Sequence, residues 1–243
     1  MRTTILGHIN SSAKKGKKLF ALLVDPDKFD VRIIDFAEDS GTDLFLVGGS
    51  LITNGNFEEC ISSLKRKSKI PVMIFPGNTM QISKKADGIL FLSLISGRNP
   101  ELLIGNHVLA ASVLKQSQLE VIPTGYILVD GGTASSTSYM SNTMPIPAHK
   151  PDIASSTAIA GELLGMKLIY LEAGSGAKDP VNKEMISAVK KNCALPLIVG
   201  GGIRTGKDAA AACKAGADII VVGTGAEKNF NSIKEIARAI HAV

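Results

Sequence analysis

The sequence predicts an α/β fold, a closed (β/α)₈ TIM barrel, from three observations: eight short apolar runs, a helix-sized stretch between most of them, and a suitable length. The runs are rich in Val, Ile, Leu and Phe, which is typical of strands buried on both faces. Strands that alternate with helices predict a parallel sheet. The runs are residues 19–24, 44–47, 71–75, 88–92, 121–129, 167–172, 196–200 and 218–223.

The length of 243 residues is usual for one barrel, and no GxGxxG follows the first run, so a barrel is favoured over an open doubly wound sheet. We therefore expect a single domain over residues 1–243. Stretches that can form helices between the runs include 29–42, 57–69, 153–166 and 207–217.

Two connections depart from this regular pattern. Residues 76–87 are too few for a full helix and both of its loops, so we expect a loop or a single turn in place of the third helix. Such a replacement leaves a gap in the outer ring of helices. Residues 130–152 form a long polar connection after the fifth run, and connections of this length are usually functional or disordered.

Composition excludes several classes of protein. With 45% hydrophobic and 20% charged residues, the chain is neither disordered nor fibrous. A net charge of +5 suits small anionic substrates, and no basic stripe interleaved with aromatic residues indicates nucleic-acid binding. No apolar run is long enough to span a membrane, and the amino terminus has no apolar leader segment, so we expect a soluble protein.

Cysteine and histidine spacing predicts neither disulfides nor a zinc site. The three cysteines, Cys60, Cys193 and Cys213, lack CxxC spacing, and a reducing cytoplasm is the compartment they indicate. The histidines fit no metal-ligand spacing and are interpreted as surface or helix residues: His8, His107, His149 and His241.

The carboxyl ends of barrel strands carry the active site, so the residues that follow each run are the candidates. Asp25 and Asp27 follow the first run, and a carboxylate there can hold Mg²⁺ together with water and substrate phosphate oxygens. Either aspartate can instead cap the next helix. The position at a strand end favours a functional role for Asp25. After the second run, Gly48 and Gly49 allow a ligand to approach the backbone, and Ser50 supplies a hydroxyl.

Glycine-rich turns follow the seventh and eighth runs, within the segments 198–209 and 221–229. Such turns present backbone N–H groups to an anion, and these two loops form the usual phosphate site of a barrel. The alternative is that the glycines serve only tight turns. Arg204 is ambiguous, either the start of a helix or a neighbour of the phosphate.

Glu172 ends the sixth run and precedes a Gly-Ser-Gly turn. A carboxylate facing the mouth of the barrel could accept a proton from a substrate hydroxyl. An ion pair with a lysine or arginine of the rim is an equally good interpretation of this segment.

Six motifs, in this order between residues 24 and 225, resemble the geranylgeranylglyceryl phosphate synthase family: VDPDK, VGGSLITNG, FPGN, YLEAGSGA, GGGIRTG and VGTG. The resemblance implies a (β/α)₈ barrel whose third helix is replaced. It also implies a Mg²⁺-dependent prenyltransferase that joins sn-glycerol 1-phosphate to a polyprenyl diphosphate, with geranylgeranyl diphosphate as the expected donor, through an ether bond. Homo-oligomers are implied as well.

The same resemblance assigns roles to particular residues. Asp25 and Ser50 correspond to the magnesium site, and Glu172 is the implied base. Some relatives carry a lysine where this chain has Leu23, so phosphate recognition must depend more on backbone amides here. The glycerol phosphate site corresponds to Tyr170, Leu171, Glu172, Ala173, Gly174, Ser175, Gly176, Ala177, Gly201, Gly202, Gly223 and Thr224.

The prenyl chain needs an apolar furrow, and the gap left by the third helix, between residues 80–82 and 94–114, is the candidate. Two other classes remain open from the sequence. A sugar phosphate isomerase or epimerase would share the glycine turns without an apolar furrow. A non-catalytic phosphate-binding barrel would tolerate loss of Glu172.

Overall fold

A computed structural model of the chain, which describes residues 4–223 and 231–243, contains a closed barrel of parallel strands. Neighbouring strands pair in chain order, and pairing from Leu19 with Ile219 to Leu22 with Val222 closes the cylinder. The predicted fold class is confirmed. The strands are β1 (Leu19–Val24), β2 (Leu44–Val47), β3 (Val72–Ile74), β4 (Gly88–Leu94), β5 (Glu120–Leu128), β6 (Leu168–Glu172), β7 (Leu197–Gly200) and β8 (Ile219–Val222).

Helices cover the outside of the barrel except after β3. Residues 75–87, all of which the structure describes, contain no helix, so the predicted replacement of the third helix is confirmed. None of the described helices has the length and apolar content that crossing a bilayer requires. The described helices are α1 (Ile5–Lys14), α2 (Ile33–Ser40), α3 (Phe57–Lys67), α4 (Asn106–Gln116), α5 (Ser136–Ser141), α6 (Pro151–Leu163), α7 (Lys183–Asn192), α8 (Gly206–Ala215) and α9 (Asn231–His241).

Alternation along each strand produces two cores. Leu19 and Ala21 of β1 belong to an apolar cluster fed by all eight strands, which fills the barrel. Phe20 and Leu22 belong to a second cluster shared with the surrounding helices. Because successive side chains of a strand point to opposite faces, a continuous apolar run satisfies both cores at once.

Helix α1, which we did not predict, covers the amino end of the barrel. Its Ile9 packs in the barrel cluster. The backbone N–H groups of Ile5 and Leu6 donate to the Glu120 carboxylate at 2.6 and 2.9 Å. A carboxylate at a helix amino terminus satisfies donors that lack partners within the helix and complements the helix dipole. The closed amino end leaves the carboxyl end as the open mouth.

The segment that replaces the third helix is fixed by Gln81. Its Nε2 donates to the carbonyl of Gly49 at 2.8 Å, and its Oε1 accepts from the backbone of Gly77 at 3.0 Å. A Cβ on Gly77 would overlap the Gly49 carbonyl, so only glycine permits this close approach of two loops. The loops after β2 and β3 are therefore held together at the mouth.

The long connection after β5 is ordered in the structure. It contains α5, and an isolated bridge pairs Val129 with Ile146. Ile146 donates to the carbonyl of Leu128 at 2.8 Å and accepts from Asp130 at 2.9 Å. The returning chain adds α5 to one side of the mouth.

Candidate active site

A cavity of about 940 Å³ opens at the carboxyl end of the barrel. Its wall brings together most of the residues predicted to form the site, which are Asp25, Ser50, Glu172, Gly174, Ser175, Gly176, Ala177, Gly201, Gly202 and Gly223. Tyr170, Leu171 and Ala173 are buried behind this wall and do not line it. Thr224 lies outside the described residues.

The two aspartates of the β1 loop have different surroundings. The Oδ1 atom of Asp25 accepts from the backbone of Asp27 at 3.0 Å, and Oδ2 pairs with Lys28 at 2.9 Å. Asp25 therefore both caps a short 3₁₀ turn and lines the cavity. The carboxylate of Asp27 accepts from the backbone of Thr53, Asn54 and Gly55 instead.

These backbone donors stabilise the charged form of Asp27 and lower its pKa to about 2. They also tie the β1 loop to the β2 loop. The capping role that the sequence left open as an alternative is observed for Asp25. Asp25 lines the cavity as well.

The donor atoms near Asp25 fit Mg²⁺ that is bound largely through substrate. Gly49 lies beside Asp25, since a Cβ there would be 3.5 Å from Oδ1, and Ser50 lines the same cavity. The described residues contain no cluster of three or more His, Cys, Asp or Glu that could hold a metal. Mg²⁺ commonly takes one or two carboxylates and completes its shell with water and phosphate oxygens. A single carboxylate and a hydroxyl match that pattern.

Glu172 is buried at the end of β6, at the edge of the cavity. Burial raises the pKa of its carboxyl from 4.5 to about 7, although a hydrogen bond from the Gly174 backbone to Oε1, at 2.7 Å, acts in the opposite direction. Among the residues the structure describes, no lysine or arginine pairs with it. The structure therefore shows no ion pair of Glu172 with these residues. Instead, its carboxyl titrates near neutral pH.

Tyr170 stands behind Glu172. A Cβ on Gly200 would lie 2.5 Å from the Tyr170 hydroxyl and 2.9 Å from Glu172 Oε2, so the two oxygens flank the same glycine. The hydroxyl is close enough to lower the pKa of Glu172, but it makes no well-formed hydrogen bond within the described parts of the chain. It is a buried donor next to the carboxyl.

The loops after β6 and β7 interlock through glycines. Gly201 and Gly202 both have positive φ, at 81° and 72°. A Cβ on Gly201 would overlap Glu172 Oε1 and lie 2.8 Å from the backbone N of Gly174. Glycine-rich turns of this kind can present backbone N–H groups to an anion.

Arg204 positions this region. Its guanidinium donates to the carbonyl of Lys178 at 2.9 Å and to that of Ala177 at 2.5 Å. Arg204 therefore connects the β7 loop to the β6 loop. It precedes α8, whose N-cap is Thr205, and a role beside the phosphate stays a prediction. Its side chain also reaches the cavity wall.

A second, apolar cavity of about 340 Å³ runs between residues 76–82, β4 and α4. It occupies the side of the barrel where the third helix is absent, as the sequence predicts for the furrow. Six of the described residues line both cavities: Gly49, Ser50, Phe75, Tyr126, Thr137 and Met140. We call this second cavity the channel; its other lining residues include Ile82, Leu90, Leu92, Leu94, Leu102, His107, Ala110 and Leu114.

Sequence reasoning named Tyr170 but missed two other aromatic residues, Phe75 and Tyr126, and the position of His107 in this region. The rings of Phe75, Tyr126 and Tyr170 form a cluster with centroid distances of 5.2 to 5.9 Å where the cavities meet. His107 lies on the channel wall, with Nε2 3.0 Å from Ser93 Oγ. Burial lowers the pKa of His107, which favours the neutral form of the ring. Phe75 directly follows the third strand, and that position was the available signal.

Glycine turns for an anion, a buried carboxyl and an apolar channel at the carboxyl end of one barrel define a class of protein. It is a barrel enzyme for an anionic substrate that carries a long apolar part.

The chain belongs to the PcrB family, which matches residues 12–240. It is 53% identical over 232 residues to geranylgeranylglyceryl phosphate synthase of Chitinophaga pinensis, with 94% of this chain and 92% of the relative covered. The enzyme of the same name from Pyrococcus abyssi is 43% identical, with 97% and 94% covered.

A solved structure agrees with these relatives. The structure of (S)-3-O-geranylgeranylglyceryl phosphate synthase from Thermoplasma acidophilum, in complex with its substrate sn-glycerol-1-phosphate, has a TM-score of 0.93 and 36% identity. The match covers 99% of both chains. The family membership makes this chain an enzyme of the prenyltransferase class, which confirms the resemblance found in the motifs.

Proposed function

We propose that this enzyme joins the 3-hydroxyl of sn-glycerol 1-phosphate to C1 of a polyprenyl diphosphate, with geranylgeranyl diphosphate as the expected donor. The C–O bond to diphosphate breaks as the ether bond forms, and diphosphate leaves. One observation carries the proposal: the glycine turns, Glu172 and Asp25 line one cavity, and the apolar channel opens from the same mouth.

The glycine turns after β6, β7 and β8 are the proposed site for the glycerol phosphate. Leu23 lines the cavity beside Gly223, where a Cβ would lie 3.3 Å from its side chain. With an apolar side chain at that position, backbone N–H groups supply the phosphate contacts. The substrate named for the Thermoplasma acidophilum structure supports this assignment.

Glu172 is the proposed base. The proton of the glycerol 3-hydroxyl passes to the Glu172 carboxylate while the oxygen attacks the allylic carbon. A pKa of about 7 leaves much of the carboxyl ionised at neutral pH and lets it hold the proton after transfer. Anchoring the phosphate on the nearby glycine turns fixes the hydroxyl in position, which removes most of the entropic cost of the encounter.

Asp25 and Ser50 are the proposed ligands of Mg²⁺. The ion would neutralise charge on the departing diphosphate, so that the allylic carbon can gain cationic character. Lys28 pairs with Asp25 and lines the same cavity, which adds positive charge on the diphosphate side.

The channel is the proposed site for the prenyl chain. Its wall is dominated by leucine, isoleucine and phenylalanine side chains, which favours an apolar occupant and excludes water from the reacting carbon. A sugar phosphate isomerase or epimerase has no use for such a channel. A non-catalytic barrel does not require a buried carboxyl with a raised pKa, so this feature favours an enzyme.

Location and assembly remain predictions. The three cysteines are buried and unpaired, which supports the cytoplasm as the compartment. Homo-oligomers are implied by the family, and α4 offers a candidate contact because Ile104, Val108 and Leu109 are exposed on or beside it.

The test is an incubation of the purified chain with labelled sn-glycerol 1-phosphate and geranylgeranyl diphosphate, with Mg²⁺ or with excess chelator. We expect a chloroform-soluble labelled ether only when Mg²⁺ is present. sn-Glycerol 3-phosphate is the matched control acceptor. Absence of the labelled ether under all conditions would refute the proposed function.

A further inference from the structure

The most exposed large apolar side chains among the described residues lie in connections at the mouth of the barrel. Met80, Met144 and Tyr139 are 89%, 86% and 85% exposed. Each lies in a connection that follows the carboxyl end of a strand, β3 for Met80 and β5 for the other two. Leu51 and Met140, 54% and 51% exposed, line the cavity at the same mouth.

The fold gives no reason for these side chains. A methionine that is almost entirely exposed buries no surface in either core, and apolar patches on a soluble surface commonly mark an interaction site. Methionine adapts to irregular apolar surroundings because its side chain is unbranched and flexible. Tyrosine is favoured where one end of the side chain meets an apolar phase and the other meets water.

The exposed residues adjoin the entrance of the channel. Thr79, next to Met80, lines the channel, and Met140, next to Tyr139, lines both cavities. The apolar surface outside is therefore continuous with the apolar surface inside. Exposed Arg98 follows the carboxyl end of β4, and the whole chain carries a net charge of +5. This charge favours an anionic surface.

We propose that this rim, formed by Leu51, Met80, Tyr139, Met140 and Met144, rests on the surface of an anionic lipid bilayer. The inference rests on the proposed function to the extent that a long prenyl chain must enter and a lipid must leave. A bilayer at the mouth delivers the donor from its own apolar phase into the channel. A protein partner on the same rim would separate the lipid phase from the mouth of the cavity that Glu172 lines.

The chain offers a matched control at its other end. Leu163 and Leu164 are 82% and 75% exposed at the carboxyl end of α6, before β6 begins. They lie at the amino end of the barrel, away from the mouth. They are as apolar and nearly as exposed as the rim residues, so they separate docking through the mouth from nonspecific adhesion.

The test uses the absence of tryptophan from this chain. Met80→Trp, Met144→Trp and Leu164→Trp each introduce a single indole. Each variant is mixed with vesicles of phosphatidylglycerol and phosphatidylcholine, with and without brominated acyl chains. We expect a blue shift and bromine quenching for the two rim variants and neither effect for Leu164→Trp. Equal quenching at all three positions, or quenching at Leu164→Trp alone, would overturn the proposal.

A second pair of variants measures affinity. We expect Met80→Glu/Met144→Glu to lower the vesicle partition coefficient by at least about tenfold, because two apolar insertions become charged, while Leu163→Glu/Leu164→Glu leaves it within about twofold. Light scattering without lipid reports assembly. If the rim pair changes the oligomeric state and not the partitioning, the rim binds a second copy and the proposal is wrong.

Turnover with geranyl diphosphate, a short and water-soluble donor, separates this inference from the proposed function. Vesicle binding without turnover leaves the docking surface in place and refutes the function. Turnover without vesicle binding refutes the docking surface alone.

Discussion

Burial raises the pKa of the Glu172 carboxyl and so determines its acid–base behaviour. The carboxyl is buried against the glycines that pack on it, and the backbone N–H of Gly174 donates to Oε1 at 2.7 Å. A Cβ at Gly201 would overlap that oxygen, so the backbone conformation and the reactive side chain depend on one another. The site is sensitive to single atoms at these positions.

Replacing this carboxyl tests its role as the base. We expect Glu172→Gln to lower prenyl transfer by at least about 100-fold, because the amide cannot accept the hydroxyl proton. Calorimetry should show sn-glycerol 1-phosphate binding near the native affinity, since the glycine turns are intact. Turnover within a few-fold of the native rate would remove Glu172 from the mechanism.

The raised pKa of Glu172 also predicts how stability depends on pH. The folded chain binds this proton more tightly than the unfolded chain, whose pKa is 4.5, so the contribution is complete below about pH 4.5 and is lost as pH rises to about 7. The loss is on the order of 3 kcal/mol. Urea unfolding between pH 4.5 and 8 should show this slope for the native chain and less of it for Glu172→Gln. Parallel curves would contradict the assigned burial cost.

Asp25 is tested by metal dependence. We expect Asp25→Asn to weaken diphosphate binding in the presence of Mg²⁺ by about tenfold or more and to change little with chelator, because a neutral amide is a poor ligand for this ion. Asp30→Asn is the control, since Asp30 pairs with Arg32 and does not line either cavity. Equal binding with and without chelator in the native chain would rule out the metal role.

Between elements, Arg204 acts by joining the loops after β6 and β7. We expect Arg204→Lys and Arg204→Ala both to raise the KM for sn-glycerol 1-phosphate several-fold with a smaller change in kcat. A lysine cannot reach two carbonyls with a rigid fork of donors. Steady-state kinetics provides the measurement. Full rescue by lysine would show that only positive charge matters there.

The channel lies where the helix after β3 is missing. Variants of α4 test whether the prenyl chain binds in this channel. Ala110 lines the channel, whereas Ala111 faces solvent on the same helix. We expect Ala110→Phe to lower kcat/KM for geranylgeranyl diphosphate about tenfold or more relative to geranyl diphosphate, because a ring fills the path of a long chain. Ala111→Phe should leave the ratio unchanged. An equal change of this kcat/KM ratio in both variants would show that the prenyl chain binds outside the channel.

Elements were predictable where burial alone decides them. The eight strands begin and end within two residues of the apolar runs, because both faces of each strand are covered. The absence of a third helix followed from the length of residues 76–87. Helix α1 was not predictable in this way, since its place depends on Glu120, far along the chain.

From the sequence, the site was predictable only as the group of residues that follow the carboxyl ends of the strands. The positions of Asp25, Glu172 and the glycine turns on one cavity follow from barrel topology. The contacts of Arg204 with two carbonyls, and the place of Phe75 and Tyr126 between the cavities, depend on packing between loops. Motif spacing contains no information on such packing.

In the whole molecule, the two ends of the barrel have different roles. Helix α1 closes the amino end on the apolar interior, and the carboxyl end holds the reacting groups and the exposed rim. A polar subsite and an apolar subsite meet at this mouth, which suits a reaction that joins a water-soluble acceptor to a lipid.

The most direct measurement is a crystal structure of this chain with sn-glycerol 1-phosphate, Mg²⁺ and a non-hydrolysable prenyl thiodiphosphate. We predict the glycerol phosphate on the backbone of Gly201 and Gly202, its 3-hydroxyl within hydrogen-bond distance of Glu172, the diphosphate beside Asp25, and the prenyl chain in the channel. A phosphate bound away from the glycine turns, or a prenyl chain outside the channel, would contradict the account.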